Sequence, residues 1–335
     1  MTTAMQTAPG GYGHPAGIPA LRRVIAHWVG RSRAVEASPD QVIITAGAQQ
    51  GIDLVTRLVV TPGRIVAVED PGYPPAAGLL AASGAQIAPV PVDSEGIVVD
   101  QIPVDSSMVY TTPSHQSPTR VTMSMARRRE LLHFADDHNL AIIEDDYDSE
   151  YRHSDRPLEP LHRLDTQGRV IYVGTFSKTL SPSLRLGFVA LPHSLVSHAI
   201  ALRSLIDWQP PVTVQETLLP FIVDGQLDRH LRRTRKVYTE RHQMVTDLVH
   251  EGAEAGLLVS PSPSHAGLHI TPLLPTGTDE VAVVARVRAN GAALGNHVQC
   301  WLRHDPPAGL LIGFGATPTA RLPAALPALR QALAG

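Results

Sequence analysis

Seven short runs rich in Val, Ile and Tyr, separated by longer stretches of helical spacing, constrain this chain more than any other feature. They lie at 42–45, 65–69, 86–92, 108–111, 140–144, 170–174 and 187–191. The runs are continuously apolar instead of alternating, so both faces of each strand must be covered. Amphipathic stretches such as 125–138 supply that cover. The pattern specifies an α/β core, a mainly parallel sheet flanked by helices. From Leu227 the text changes to a charged helical pattern that runs to Val249, followed by a Pro/Ser/Gly stretch at 260–267. The tail holds strand-like runs at 268–273 and 310–314 and an Ala/Leu-rich helix after Pro323. We therefore expect a boundary near Gly225: a large domain over 12–226, an interdomain helix with a smaller C-terminal α/β domain over 227–335, and an N-terminal remnant at 1–11.

Composition narrows the function classes. Hydrophobic residues make up 43% of the 335 and charged residues 18%, and no apolar run approaches the ~20 residues of a membrane span. A net charge of -3 lacks the basic excess that holds nucleic acid, so no DNA contact is expected from these residues alone. One cysteine, Cys300, allows no internal disulfide, and the first residues lack the charged-then-apolar order of a signal peptide. Both fit a reducing cytoplasm. Positive charge is almost wholly arginine, which leaves Lys178 and Lys236 as the two candidates for lysine chemistry.

In an open α/β sheet ligands sit beyond the carboxyl ends of the strands. After 42–45 comes Ala46-Gly47-Ala48-Gln49-Gln50-Gly51, a small-residue turn opening a helix. Such a turn suits a phosphate, although small residues at helix starts are common without one. After 140–144 comes an acidic run in which Glu144, Asp145, Asp146, Asp148 and Glu150 crowd together. Like charges this close raise one another's pKa unless a cation or donor is near. A solvated loop, or a divalent metal held by Asp145, Asp146 and Asp148, would also account for them. After 170–174 comes Thr175-Phe176-Ser177-Lys178, with Arg185 seven residues beyond the lysine. A lysine among hydroxyls with a nearby arginine has the parts for a Schiff base and a phosphate clamp. Taken together the three ends describe pyridoxal phosphate (PLP): a lysine for its aldehyde, an aspartate for its protonated ring nitrogen, and a helix start with an arginine for its phosphate.

The wording of these segments resembles the aminotransferase-like domain of MocR/GabR-type regulators, within the fold-type I, class I/II aminotransferase superfamily. The resemblance runs from Tyr12 to about Phe314. Its motifs are Tyr12-Gly13-His14-Pro15-Ala16-Gly17, Thr112-Pro113-Ser114-His115-Gln116, the run 142–150, and Gly174-Thr175-Phe176-Ser177-Lys178. It implies Lys178 as the Schiff-base lysine, Asp145 as the pyridinium partner and Tyr147 as donor to the ring hydroxyl. Arg185, Thr175 and Ser177 would hold the phosphate with the backbone of Gly47, Ala48 and Gln49, and Tyr73 would stack on the ring. Tyr12 is similar to a tyrosine that reaches the phosphate of the neighbouring subunit, which implies a homodimer.

Departures from the family pattern decide between function classes. Superfamily enzymes usually carry Asn-Pro-Thr-Gly where this chain has Ser117-Pro118-Thr119-Arg120. The arginine that many members place on a late strand, to hold the substrate carboxylate, is absent from 310–314; Arg303 is a candidate substitute or a surface residue. A winged helix-turn-helix does not precede Tyr12, so the chain is read as a shortened gene product or a piece of a longer one, with DNA reached through an upstream domain. The expected function is an effector-sensing domain for an amino acid or PLP, with a working aminotransferase as the alternative. Histidines such as His14, His115, His133, His162, His265 and His269 form no metal-binding pattern in sequence, so no metal is expected. The basic run 232–236 is expected on a solvated helix face.

Overall fold

The computed structural model describes residues 11–151, 159–260, 267–289, 294–303 and 306–334. Most of the expected N-terminal remnant, residues 261–266 of the Pro/Ser/Gly stretch and His265 lie outside them. The helices are α1 (Pro19–Arg33), α2 (Ala48–Val59), α3 (Pro74–Ala82), α4 (Met125–Asp137), α5 (Leu161–Leu164), α6 (His193–Ile206), α7 (Val212–Val223), α8 (Gln226–Glu254), α9 (Glu280–Ala289) and α10 (Ala325–Ala334). The strands are β1 (Val42–Thr45), β2 (Ile65–Asp70), β3 (Gln86–Asp93), β4 (Gly96–Ile97), β5 (Met108–Thr111), β6 (Ala141–Asp146), β7 (Val170–Thr175), β8 (Gly187–Ala190), β9 (His269–Ile270), β10 (Gly295–Asn296) and β11 (Leu310–Gly313).

All seven apolar runs are strands of one sheet, in the order β1-β8-β7-β6-β5-β2-β3-β4. The β3-β2-β5-β6-β7 ladder is parallel, and β8 runs antiparallel between β7 and β1. Continuous apolar runs are needed because consecutive residues enter different cores. Ile43, Ile143 and Ile171 pack with Ile52 and Val55 of α2, Leu80 of α3 and Ala199 of α6. On the other face Val42 and Ile44 meet α1, and Ile142 meets Leu131 and Leu132 of α4. Local signals agree with these elements. Prolines open α1 and α3, where no intrahelical N–H is lost, and the Ser124 hydroxyl caps α4 by accepting from Arg127 N at 3.1 Å.

A second sheet, β10-β11-β9, is antiparallel. Its core gathers Val245 and Val249 of α8, Val283, Val284 and Val287 of α9, and Leu310, Ile312 and Phe314. The basic run is exposed on α8 at Arg232, Arg233, Arg235 and Lys236, as a solvated face requires. Among the described residues no helix is long and apolar enough to cross a membrane.

Candidate active site

Three strand ends meet because the register brings them together. Thr45 of β1 and Thr175 of β7 both pair with Gly187 of β8, one from each side. Gly187 allows the approach: a Cβ there would stand 2.9 Å from the Gly47 backbone and 2.7 Å from the Gly174 carbonyl. Gly47 is held at φ 84 and ψ 176, a region open in practice to glycine alone, as the N-cap of α2. It offers no capping side chain, so the first N–H groups of the helix, Ala48 and Gln49 among them, point outward without intrahelical acceptors. Arg185, itself in the left-handed region, lays its guanidinium across this turn and donates to Ala46 O at 2.7 Å. Thr175 Oγ1 and Ser177 Oγ lie 3.0 Å apart, and Ser177 N–H donates to Thr175 Oγ1. The result is a set of donors and one cation gathered at a single turn. Gly47→Ala is expected to lower the unfolding free energy in urea by about 1–3 kcal/mol, because alanine cannot hold that backbone conformation without strain.

The acidic run is neither a solvated loop nor one metal cluster. All five carboxylates are buried, and they are met by different partners. Glu144 accepts from the N–H groups of Leu161 and His162 at 2.9 and 2.8 Å, with Arg128 3.7 Å away. Asp146 and Glu150 share Arg33 of α1, at 3.5 and 2.8 Å, and Tyr172 OH donates to Asp146 at 2.6 Å. Asp148 lies 3.1 Å from His115 Nδ1. Arg33 stands more than a hundred positions from these acids in sequence, so no sequence spacing points to it.

Asp145 differs from the other four. Its Oδ2 accepts from Tyr110 OH at 2.6 Å, while Oδ1 is buried with no hydrogen-bond partner. Burial pushes its carboxyl up to about 7; Tyr110 offsets this in part, and Asp146, Glu69 and Asp148 add to it. An orphaned carboxylate oxygen is costly, and a cationic N–H would satisfy it. Lys178 follows the neighbouring strand β7 and is exposed. Tyr73 caps α3 at a half-open position, close enough for Asp145 and Arg185 both to act on its phenol. Tyr147 OH lies 3.0 Å from His115 Nδ1, and Ser117, where superfamily enzymes carry asparagine, is near enough to act on the same phenol and lower its pKa. Burial, then Asp148 and Asp145, push that phenol well above its usual range.

Sequence spacing gave no hint of Tyr110, His115 or His269 as neighbours of this site. The two imidazoles stack 5.1 Å apart and, with Asp148, bring three ligand-type atoms together. Glu69 fixes the loop that carries His115. It accepts from both Thr111 and Thr112 hydroxyls, from Thr112 N–H and from Gln116 Nε2. Two residues named from the sequence stand apart. Tyr12 is 80% exposed and rests on Trp208, ring centroids 5.0 Å apart. Arg303 is engaged by Asp70 Oδ2 at 3.0 Å, with Leu302 N–H on the other oxygen of that carboxylate.

Comparison with known proteins shows the family of the chain. The model of the family "Aminotransferase class I and II" matches residues 3–280. The probable rhizopine catabolism regulatory protein MocR of Rhizobium meliloti is 32% identical over 96% of this chain and 65% of its own length. The chain therefore spans about two thirds of that regulator. Aromatic-amino-acid aminotransferase 1 of Thermococcus litoralis is 31% identical over 84% of this chain and 70% of its own length. Among solved structures, a Pyrococcus horikoshii kynurenine aminotransferase with pyridoxamine phosphate (PMP) and its substrates superposes with a TM-score of 0.84 at 28% identity, covering 97% of this chain and 82% of that one.

Proposed function

Because the chain belongs to the class I and II aminotransferase family, we propose that it is the PLP-binding, effector-sensing domain of a MocR/GabR-type transcriptional regulator, working as a cytoplasmic homodimer. The family is PLP-dependent, and PLP supplies an electron sink for bonds at the α-carbon of an amine joined to it. The observation that carries the fit to this chain is Asp145 Oδ1, a buried acceptor without a donor where a protonated ring nitrogen would supply one.

The remaining roles follow from position. Lys178, one strand over from Asp145, would hold the cofactor through its carbonyl carbon, and once an incoming amine had displaced it, its amine would be the base placed to move a proton at the amino-acid Cα. Tyr147 would donate to the ring hydroxyl, and Tyr73 would cover one ring face. Arg185, Thr175, Ser177 and the N–H groups of Gly47, Ala48 and Gln49 hold the phosphate. Tyr12, exposed together with Leu205, Ile206 and Trp208, reaches a second subunit, and these apolar neighbours form part of the contact. DNA is contacted through a winged helix-turn-helix outside these residues, and the signal entering this domain is an amino acid or PLP.

The regulator reading is favoured by the likeness to MocR and by Leu311 on β11, where many enzymes place an arginine. The similarity to the Thermococcus enzyme favours a second reading, a working aminotransferase on amino acids. Single-turnover spectroscopy separates them. On mixing the PLP-loaded protein with a panel of amino acids, a sensor shifts its visible band on binding and converts to the pyridoxamine form slowly or not at all. Rapid, saturable conversion with any common amino acid would overturn the sensor reading.

A further inference from the structure

His115 sits between a carboxylate and a phenol. Its Nδ1 lies 3.2 and 3.1 Å from the two oxygens of Asp148 and 3.0 Å from Tyr147 OH. His115 and Asp148 are both buried, so water does not relieve a mismatch between them. An Nδ1 without hydrogen would point its lone pair at two carboxylate oxygens that have only lone pairs to offer. Asp148 therefore keeps a hydrogen on Nδ1, whether or not Nε2 carries one as well.

The ring has little freedom to leave this arrangement. His269 of β9 stacks on it with centroids 5.1 Å apart, and the backbone of Gly267 approaches so closely that a Cβ there would collide with His115 Cε1. The consequence falls on Tyr147. A nitrogen that carries hydrogen cannot accept one, so the phenol finds no acceptor at His115, and its own oxygen can instead accept from Nδ1–H. Ser117 lowers the phenol's pKa, as a donor to its oxygen does. Burial, Asp148, Asp145 and Glu69 outweigh it and keep the hydrogen on Tyr147. That hydrogen is left for a third group.

We propose that Asp148, acting through the Nδ1–H form of His115, is a positioning residue that keeps the Tyr147 hydrogen free for the ring hydroxyl of PLP. The inference rests on the reading that Tyr147 meets that hydroxyl. With Ser117 where superfamily enzymes carry asparagine, the direction of this one hydrogen weighs more on how the ring is held.

The test uses the full chain without cofactor and two probes that differ only in the ring hydroxyl, pyridoxamine 5′-phosphate and its 3-deoxy analogue, with affinities from calorimetry. The wild type is expected to prefer the hydroxylated probe by about tenfold, the scale of one hydrogen bond from a buried donor. Asp148→Leu has the same branched shape and no acceptor; Asp148→Ala is the smaller alternative. Either lets His115 move its hydrogen to Nε2 and capture the phenol hydrogen at Nδ1. The preference should fall to about twofold or less, with affinity for the 3-deoxy probe unchanged. Adding His115→Phe to Asp148→Leu removes the captor and should restore part of the preference, which a merely structural role for Asp148 would not allow. Nitrogen NMR of the histidine-labelled wild type, assigned with His115→Phe, reads the tautomer directly. If Tyr147→Phe keeps the preference, the reading of Tyr147 falls and the inference with it. If Tyr147→Phe loses the preference but Asp148→Leu and Asp148→Ala keep it, or if His115 carries its hydrogen on Nε2 alone, the inference by itself is overturned.

Discussion

Lys178→Ala is expected to abolish the visible absorbance band that the protein develops with PLP, whereas Lys236→Ala leaves it unchanged. The chain has only these two lysines, and they sit in different surroundings. Lys178 follows β7, beside the hydroxyls of Thr175 and Ser177 and close enough to His269 to oppose its protonation. Lys236 is exposed on the solvated face of α8. That band, shifted to longer wavelength from the one of the free aldehyde, requires the carbonyl carbon to be bonded to an amine in conjugation with the ring, so removing the amine removes it. Non-covalent binding should persist, because Arg185 and the Gly47 turn are untouched. Equilibrium dialysis would therefore show PLP retained by Lys178→Ala with the absorbance of the free aldehyde only. Borohydride reduction and peptide mapping check the assignment independently, and a pyridoxyl group found on Lys236 would overturn it.

Asp145→Asn is expected to change the protein in two opposite directions. In the ligand-free protein burial holds the Asp145 carboxyl at about 7, above its ordinary value of 3.8. Between those two values the folded state binds a proton that the unfolded chain has released. Stability therefore falls as pH rises through that window and loses nothing further from this group above it. The asparagine variant escapes this cost while still accepting from Tyr110 OH. Without ligand it should be more stable than wild type at pH 8, by about 2–4 kcal/mol on a scale of ~1.4 kcal/mol per pKa unit, and equal to it near pH 4. With PLP the order reverses. A neutral amide cannot keep the ring nitrogen protonated, and loss of a charged contact lowers PLP affinity by about one to two decades. Thermal melts at the two pH values, with and without PLP, read both effects. If Asp146→Asn loses PLP while Asp145→Asn keeps it, the assignment is reversed.

Those two residues also mark how far the sequence could be read. The strands were legible because a sheet covered on both faces needs apolar residues on consecutive positions, and 42–44, 108–110 and 170–173 have them without a gap. Lys178 stood out because arginine replaces lysine almost everywhere else, and Asp145 because an apolar strand delivers it to a strand end. Local chemistry of this kind survives in one dimension. The particular role of Asp145 as partner of a ring nitrogen came with the resemblance; the acidic run by itself also admitted a metal site or a solvated loop.

What the chain's sequence determined by itself was the period of its elements and the residue types at their ends, since both depend on neighbours within a turn or a strand. Tertiary structure alone decided which charges are neutralised. Arg33 reaches Asp146 and Glu150 from a helix that docks across the sheet, Tyr110 reaches Asp145 from the next strand, and His269 reaches His115 from the second sheet. Each pairing joins segments separated by dozens to more than a hundred residues, and its energy depends on distance and on the exclusion of water, neither of which exists until the cores have closed. The same closure leaves Asp145 Oδ1 buried without a donor, and that feature carries the functional reading.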